Sequence, residues 1–153
     1  MSALDHKVPP PVVGLACVAL AWLVSWLTPS LNFSWPLQGI SAALPAALGV
    51  GVDLWALAAF RSARTTVNPL APDRSSAVVR SGPFRFSRNP MYVGMALLLL
   101  AWCLFLGNPL AVVVVVVFVG YITRFQIVPE ERALLAKFGE TYANYLAEVR
   151  RWV

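Results

Sequence analysis

The chain has 153 residues, of which 59% are hydrophobic and only 12% are charged, whereas charged residues make up about 25% of an average soluble domain. This composition excludes an ordinary soluble domain and predicts an integral membrane protein with one domain, residues 1–153. The net charge of +5 comes mainly from the segments that flank the apolar runs, where membrane topology and anionic lipid headgroups explain it. We therefore expect membrane lipid, and no nucleic acid, among its partners.

Two stretches lack any acidic or basic side chain, Val8–Val52 and Asn89–Thr123. Each is too long for one crossing of a hydrocarbon core about 30 Å thick. Four spans are predicted, at residues 12–28, 40–60, 91–106 and 110–124. Each should be a helix, because a lone strand cannot satisfy its backbone hydrogen bonds in lipid. The predicted fold is all-α: an integral membrane bundle of four transmembrane helices, with a cytoplasmic loop and a C-terminal amphipathic helix.

The connections between the spans differ in charge. The first, at residues 29–39, has none, whereas the second, at residues 61–90, has six arginines and a single acidic residue, Asp73. The positive-inside rule places the second connection, and with it both termini, in the cytoplasm.

Asp53 is the only acidic residue within a predicted span. An intramembrane carboxylate is costly and is by default a functional candidate. Because it precedes Arg61 by about two helical turns, it could instead lie near the interface and be paired or hydrated, and the sequence leaves both readings open. Cys17 and Cys103 lie in apolar segments and indicate neither a disulfide nor a metal site.

The segment Ser81–Gly94 brings two arginines, two prolines and a tyrosine to the start of the third span. Glu130 and Glu131 follow the fourth span and should return to the same membrane face. We therefore predict that polar groups from both segments converge on one pocket. Considered alone, the arginines could be topology determinants, and the glutamates could be favourable charges at a helix N-terminus.

The segment after Pro129 has apolar residues spaced by three and four, which predicts an amphipathic helix. Acidic residues near its start and two arginines near its end suit the helix dipole. Gly139 could divide it into two pieces. The apolar stripe comprises Leu134, Leu135, Phe138, Tyr142, Tyr145, Leu146 and Val149.

Two motifs carry a family resemblance. The arrangement GPFRFSRNPMYVG, then about thirty-five mostly apolar residues, then PEERALLAKFGETYANYLAEVRRW resembles the isoprenylcysteine carboxyl methyltransferase and phospholipid methyltransferase superfamily of integral membrane enzymes, in particular its short bacterial members. The superfamily's motif of arginine, histidine or asparagine, proline, any residue and tyrosine corresponds to residues 88–92, with Gly94 following. The resemblance implies a bacterial inner-membrane enzyme that transfers a methyl group from S-adenosylmethionine to an apolar or amphiphilic small-molecule, lipid or lipidated acceptor.

The resemblance and the residue types together indicate the site. Carboxylates can accept hydrogen bonds from ribose hydroxyls or the cofactor's ammonium group, and an aromatic face can stabilise a sulfonium cation. No metal is needed for this chemistry. The predicted cofactor-binding residues are Gly82, Arg85, Arg88, Asn89, Pro90, Tyr92, Gly94, Glu130, Glu131 and Tyr142.

Arg124 and Glu131 are the predicted catalytic residues. Arg124 lies near the cytoplasmic end of the fourth span, where it could snorkel to the headgroups or orient an acceptor. The family places a substrate-positioning arginine shortly before its glutamate pair, which favours the second role.

Two other functions fit parts of the sequence. A nicotinamide-dependent membrane enzyme of the sterol-reductase type has a similar C-terminal arrangement, but this chain is short for that class. Small four-helix transporters also combine short spans with one membrane carboxylate, but they lack an arginine-rich loop and an amphipathic C-terminal segment.

Overall fold

The structure, a computed structural model, describes residues 8–63 and 78–153. All regular structure in these ranges is helical, which confirms the all-α prediction there. A 3₁₀ turn, Gly82–Arg85, precedes α3, and a π-helical turn, Thr123–Ile127, joins α4 to α5. The central part of the connection expected in the cytoplasm, residues 64–77, lies outside the described residues. The α-helices are α1 (Pro10–Leu27), α2 (Gln38–Ser62), α3 (Pro90–Leu106), α4 (Pro109–Ile122), α5 (Val128–Phe138) and α6 (Glu140–Glu148).

The predicted spans correspond to α1, α2, α3 and α4. In the described part of the chain, α1, α2 and the run Pro109–Phe138 are long and apolar enough to cross a membrane, and α3 is a shorter apolar helix. The fourth span was expected to end at residue 124. In the structure the helical path instead continues through residue 124, by way of the π-helical turn, into α5. The π-helical turn closes with a hydrogen bond from the Val128 N–H to the Thr123 carbonyl, just before Pro129, which has no N–H to donate.

Small residues bring α2 and α3 close together. A Cβ on Gly49 of α2 would lie 2.8 Å from the Gly94 carbonyl oxygen, and a Cβ on Gly94 would overlap the carboxylate of Asp53. Close helix approach through small residues is typical of membrane helices. The structure therefore places Asp53 against α3, with its Oδ1 buried and lacking a hydrogen-bond partner among the described residues.

The helix α1 packs against both α3 and α4. The Trp102 indole N–H of α3 donates to the Val18 carbonyl of α1 at 3.1 Å. Phe118 and Ile122 of α4 are fully buried in this interface region. Among the described residues, α1 and α2 have no extensive contact with each other, and both pack against α3.

The turn between α3 and α4 is fixed by Asn108. Its side-chain oxygen accepts the N–H groups of Leu110 and Ala111 at 2.9 and 3.3 Å, as an N-cap does. Its amide group donates to Thr28 Oγ1 and Asn32 Oδ1 at 2.9 and 2.7 Å. This network joins the ends of α1, α3 and α4 at the end of the bundle away from the start of α3.

The C-terminal segment forms two helices separated by Gly139, whose φ of +51° favours glycine. Tyr142 and Tyr145 of α6 are buried. The Tyr145 hydroxyl donates to the Phe84 carbonyl at 2.7 Å. This bond holds α6 against the segment that leads into α3.

Candidate functional site

A cavity of about 270 Å3 lies at the end of the bundle where α3 begins. The beginnings of α1, α3 and α5, the end of α2 and the segment before α3 all contribute to its wall. Most of the lining side chains are apolar, and the polar ones come from the two segments predicted to converge. The lining residues are Pro10, Pro11, Phe60, Phe84, Arg88, Asn89, Pro90, Met91, Tyr92, Met95 and Glu130.

Tyr92 and Glu130 join the two segments directly. The Tyr92 hydroxyl donates to Glu130 Oε2 at 3.4 Å, and both side chains line the cavity. Tyr92 is only 7% exposed. A carboxylate and an aromatic ring thus share the polar end of a mostly apolar cavity.

Glu131 points to a different set of partners. Its carboxylate contacts Arg88 Nη2 at 3.0 Å and accepts hydrogen bonds from Nε and Nη2 of Arg151 at 3.1 and 2.7 Å. The hydrogen bond with Glu131 raises the pKa of the Arg151 guanidinium. We call Arg88, Glu131 and Arg151 the charge triad. It ties the segment before α3, the start of α5 and the C-terminal tail together.

The C-terminal tail also holds the backbone of the motif. The Arg88 N–H donates to the Arg150 carbonyl at 2.9 Å. The Asn89 side-chain amide donates to the Arg151 carbonyl at 2.9 Å, and the Trp152 indole N–H donates to Thr123 Oγ1 at 3.1 Å. The Asn89 amide therefore donates to the tail, and Asn89 is also one of the residues that line the cavity.

Arg88 has one side-chain donor that the described residues leave without an acceptor. Its Nη1 donates to the Leu146 carbonyl at 3.0 Å, but its buried Nε has no hydrogen-bond partner among the described residues. A buried donor without an acceptor is costly. Arg88 also lines the cavity, so one of the residues in the cavity wall has a buried donor without an acceptor in the described part of the chain.

Tyr142 is buried beside the glutamates. Burial raises the pKa of its phenol, and the negative charges of Glu131 and Glu130 raise it further. Its hydroxyl therefore stays protonated at neutral pH. Tyr142 does not line the cavity.

Four other predicted site residues lie away from the cavity wall. Gly82 has a φ of +60° and packs against Trp55, and Gly94 packs against α2 as described above. Arg85 is exposed and lines a separate depression. Arg124 is exposed on the π-helical turn, with its guanidinium 5.4 Å from the Phe125 ring centroid.

Sequence reasoning missed Arg151, which was interpreted only as a charge favourable at a helix end. Twenty residues separate it from Glu131, so no helical spacing relates them. The only signal was a charge opposite to that of the glutamates. The apolar lining from Pro10, Pro11 and Phe60 was also missed, because the first two spans carry no motif.

Comparison with known proteins places the chain in a family. No solved structure matches it significantly. An uncharacterized protein of Haemophilus influenzae is 49% identical over 63 residues, which are 41% of this chain and the whole length of that protein. The sequence profile of the family described as phospholipid methyltransferase matches residues 37–141, a range that includes the residues joining Tyr92 to Glu130 and Arg88 to Glu131. The chain therefore belongs to the phospholipid methyltransferase family.

Proposed function

We propose that this membrane methyltransferase uses S-adenosylmethionine and methylates an apolar or amphiphilic acceptor that it reaches from the bilayer. One observation carries the proposal: a single cavity joins polar side chains of the motif to apolar walls from α1, α2 and α3. A charged cofactor and a lipophilic acceptor require two such surfaces side by side.

The polar end of the cavity suits the groups of S-adenosylmethionine, which has a sulfonium cation, an amino-acid head with both charges, and ribose hydroxyls. The unpartnered Nε–H of Arg88 suits a carboxylate. The Glu130 carboxylate suits an ammonium group or ribose hydroxyls. The Tyr92 ring suits a sulfonium, a cation–π contact of about 0.5–2 kcal/mol.

The size of the cavity limits what it can hold. Its volume of about 270 Å3 is slightly below the roughly 300–1,000 Å3 of typical small-molecule sites. We therefore assign it to the reacting parts of cofactor and acceptor rather than to two whole ligands. The remainder of each ligand would extend beyond this cavity.

The roles of Glu130 and Tyr92 follow from the charge of the reaction. When bound, S-adenosylmethionine supplies a methyl group on a positively charged sulfur. Because that charge exists before the transfer, a carboxylate that attracts it stabilises the bound ground state at least as much as the transition state. We therefore assign Glu130 and Tyr92 to binding and orientation, while alignment, and water exclusion by Phe60 and Phe84, supply the rate.

We propose that the acceptor enters between α1 and α2. These helices have no extensive contact with each other, yet Pro10 of α1 and Phe60 of α2 both line the cavity. Tyr92 of α3 lines the same cavity, so an acceptor that enters here would reach its polar end. In this arrangement Arg124 would orient the polar end of the acceptor from the exposed face of the π-helical turn, outside the cavity wall.

Calorimetric titration of the purified protein with S-adenosylmethionine tests the cofactor assignment. Glu130→Gln should weaken binding about 10- to 100-fold, because one charge-assisted hydrogen bond is worth about 1.5–3 kcal/mol. Arg132→Gln, at an exposed position on the same helix, is the matched control and should bind like the parent. Equal affinity of the Glu130 variant, or binding of a reduced nicotinamide cofactor in place of S-adenosylmethionine, would contradict the proposal.

Turnover with a panel of acceptors tests the lateral path. Arg124→Ala should lower turnover of amphiphilic acceptors while leaving cofactor affinity unchanged, which is the pattern of lost substrate alignment. Equal losses in both measurements would move Arg124 to the cofactor site. Methylation of only small, fully polar acceptors would rule out entry from the bilayer.

A further inference from the structure

A second depression, of about 310 Å3, lies beside the segment that leads into α3 and is distinct from the cavity at Tyr92. Arg80, Arg85, Tyr145, Glu148 and Val149 line it. The motif segment and α6 form its two sides. None of these five residues lines the cavity at Tyr92, so the two sites share no side chain.

One of its two cations, Arg80, already has two neighbours within the depression. Arg80 forms an ion pair with Glu148, and its guanidinium lies 5.4 Å from the centroid of the Tyr145 ring. Tyr145 is itself held by its hydrogen bond to the Phe84 carbonyl. In the structure, the guanidinium of Arg80 thus lies between the Glu148 carboxylate and the Tyr145 ring.

The other cation is Arg85. Its side chain is exposed, and no acceptor or carboxylate contacts it among the described residues. The depression thus has two guanidinium groups against one carboxylate, Glu148. This surplus of positive charge is complementary to an anion, and the planar fork of arginine matches the oxygens of a phosphate.

Exposed aromatic rings beside Arg85 indicate where the anion comes from. Phe86, the next residue, is 68% exposed, and Trp55 of α2 is 50% exposed. Their ring centroids lie 6.3 Å apart. Exposed aromatic rings next to arginines are typical of the membrane interface, whereas a free phosphate would gain nothing from them.

We propose that this depression binds the phosphate of an anionic phospholipid, with Arg85 as the main ligand, Arg80 as the second, and Trp55 and Phe86 against the adjoining part of the acyl chains. The site is separate from methyl transfer and does not depend on the identity of the cofactor or acceptor. Its effect is to hold the segment before α3 at the lipid surface.

Tryptophan quenching by lipids with brominated acyl chains tests this site in nanodiscs. The chain has six tryptophans, so the Trp55 signal is taken as the difference between each protein and its Trp55→Phe counterpart. Brominated phosphatidylglycerol should quench Trp55 at lower mole fraction than brominated phosphatidylcholine. Arg85→Gln should weaken this preference about fivefold, the factor that corresponds to about 1 kcal/mol per basic residue at the surface.

Controls separate the alternatives. Arg132→Gln, an exposed arginine outside the depression, should keep the full preference, and Arg85→Lys should keep part of it. Equal quenching by both lipids, or the same preference in the parent and Arg85→Gln, would overturn the proposal. So would Arg85-dependent binding of inorganic phosphate without any lipid preference, which would identify a site for a soluble anion.

Discussion

Substitution of Glu131 by glutamine tests whether the charge triad stabilises the fold. The side chains of Arg88 and Glu131 are 10% and 13% exposed, so their attraction is only weakly screened by water. Removal of one partner from a buried pair costs about 3–5 kcal/mol, because the remaining charge is left uncompensated. Glutamine keeps one acceptor oxygen, so we expect the lower end, about 3 kcal/mol.

By the same reasoning, Arg151→Gln should cost less stability than Glu131→Gln. Its side chain is 39% exposed, and such pairs contribute about 0–1 kcal/mol after solvent screening. For a chain of this size, 1 kcal/mol corresponds to about 2–4 °C in Tm. Glu131→Gln should therefore lower Tm by about 6–12 °C and Arg151→Gln by at most about 2–4 °C.

Thermal unfolding in one detergent, followed by intrinsic fluorescence at a fixed scan rate, measures both variants. The double variant should unfold close to Glu131→Gln, because the two residues share one interaction. Arg132→Gln is the control and should match the parent. A Tm for Arg151→Gln as low as that of Glu131→Gln, or an unchanged Tm for the latter, would refute the reasoning.

Two further predictions concern topology and helix packing. Cysteines are introduced separately at Ser34 and Ser81, which are both exposed, and only the one at position 34 should be labelled from outside intact cells. Cys17 and Cys103 are buried and should give little background labelling. Labelling at position 81 and not at position 34 would show the opposite topology. Gly94→Ala should destabilise the protein by about 1–3 kcal/mol through overlap with Asp53, and Asp53→Ala should relieve part of that loss. Gly51→Ala, where an added Cβ meets nothing within 4 Å, should be neutral or stabilising in the same unfolding assay.

The sequence alone was enough to predict the helical spans. It was also enough to predict that the two polar segments lie close together. Apolar runs of membrane length must be helical in lipid. Two such runs in succession return the chain to the face where it started, so the residues before the third span and after the fourth must lie at the same end. The hydrogen bond between Tyr92 and Glu130 agrees with this prediction.

Only the tertiary structure decided which glutamate faces the cavity. Glu130 and Glu131 are neighbours on one helix and therefore point about 100° apart, so their order in the sequence does not say which one meets a ligand. Glu131 forms ion pairs with Arg88 and Arg151, whereas Glu130 lines the cavity. That choice depends on the C-terminal tail folding back along the segment before α3, a contact between residues far apart in the chain that no local pattern encodes.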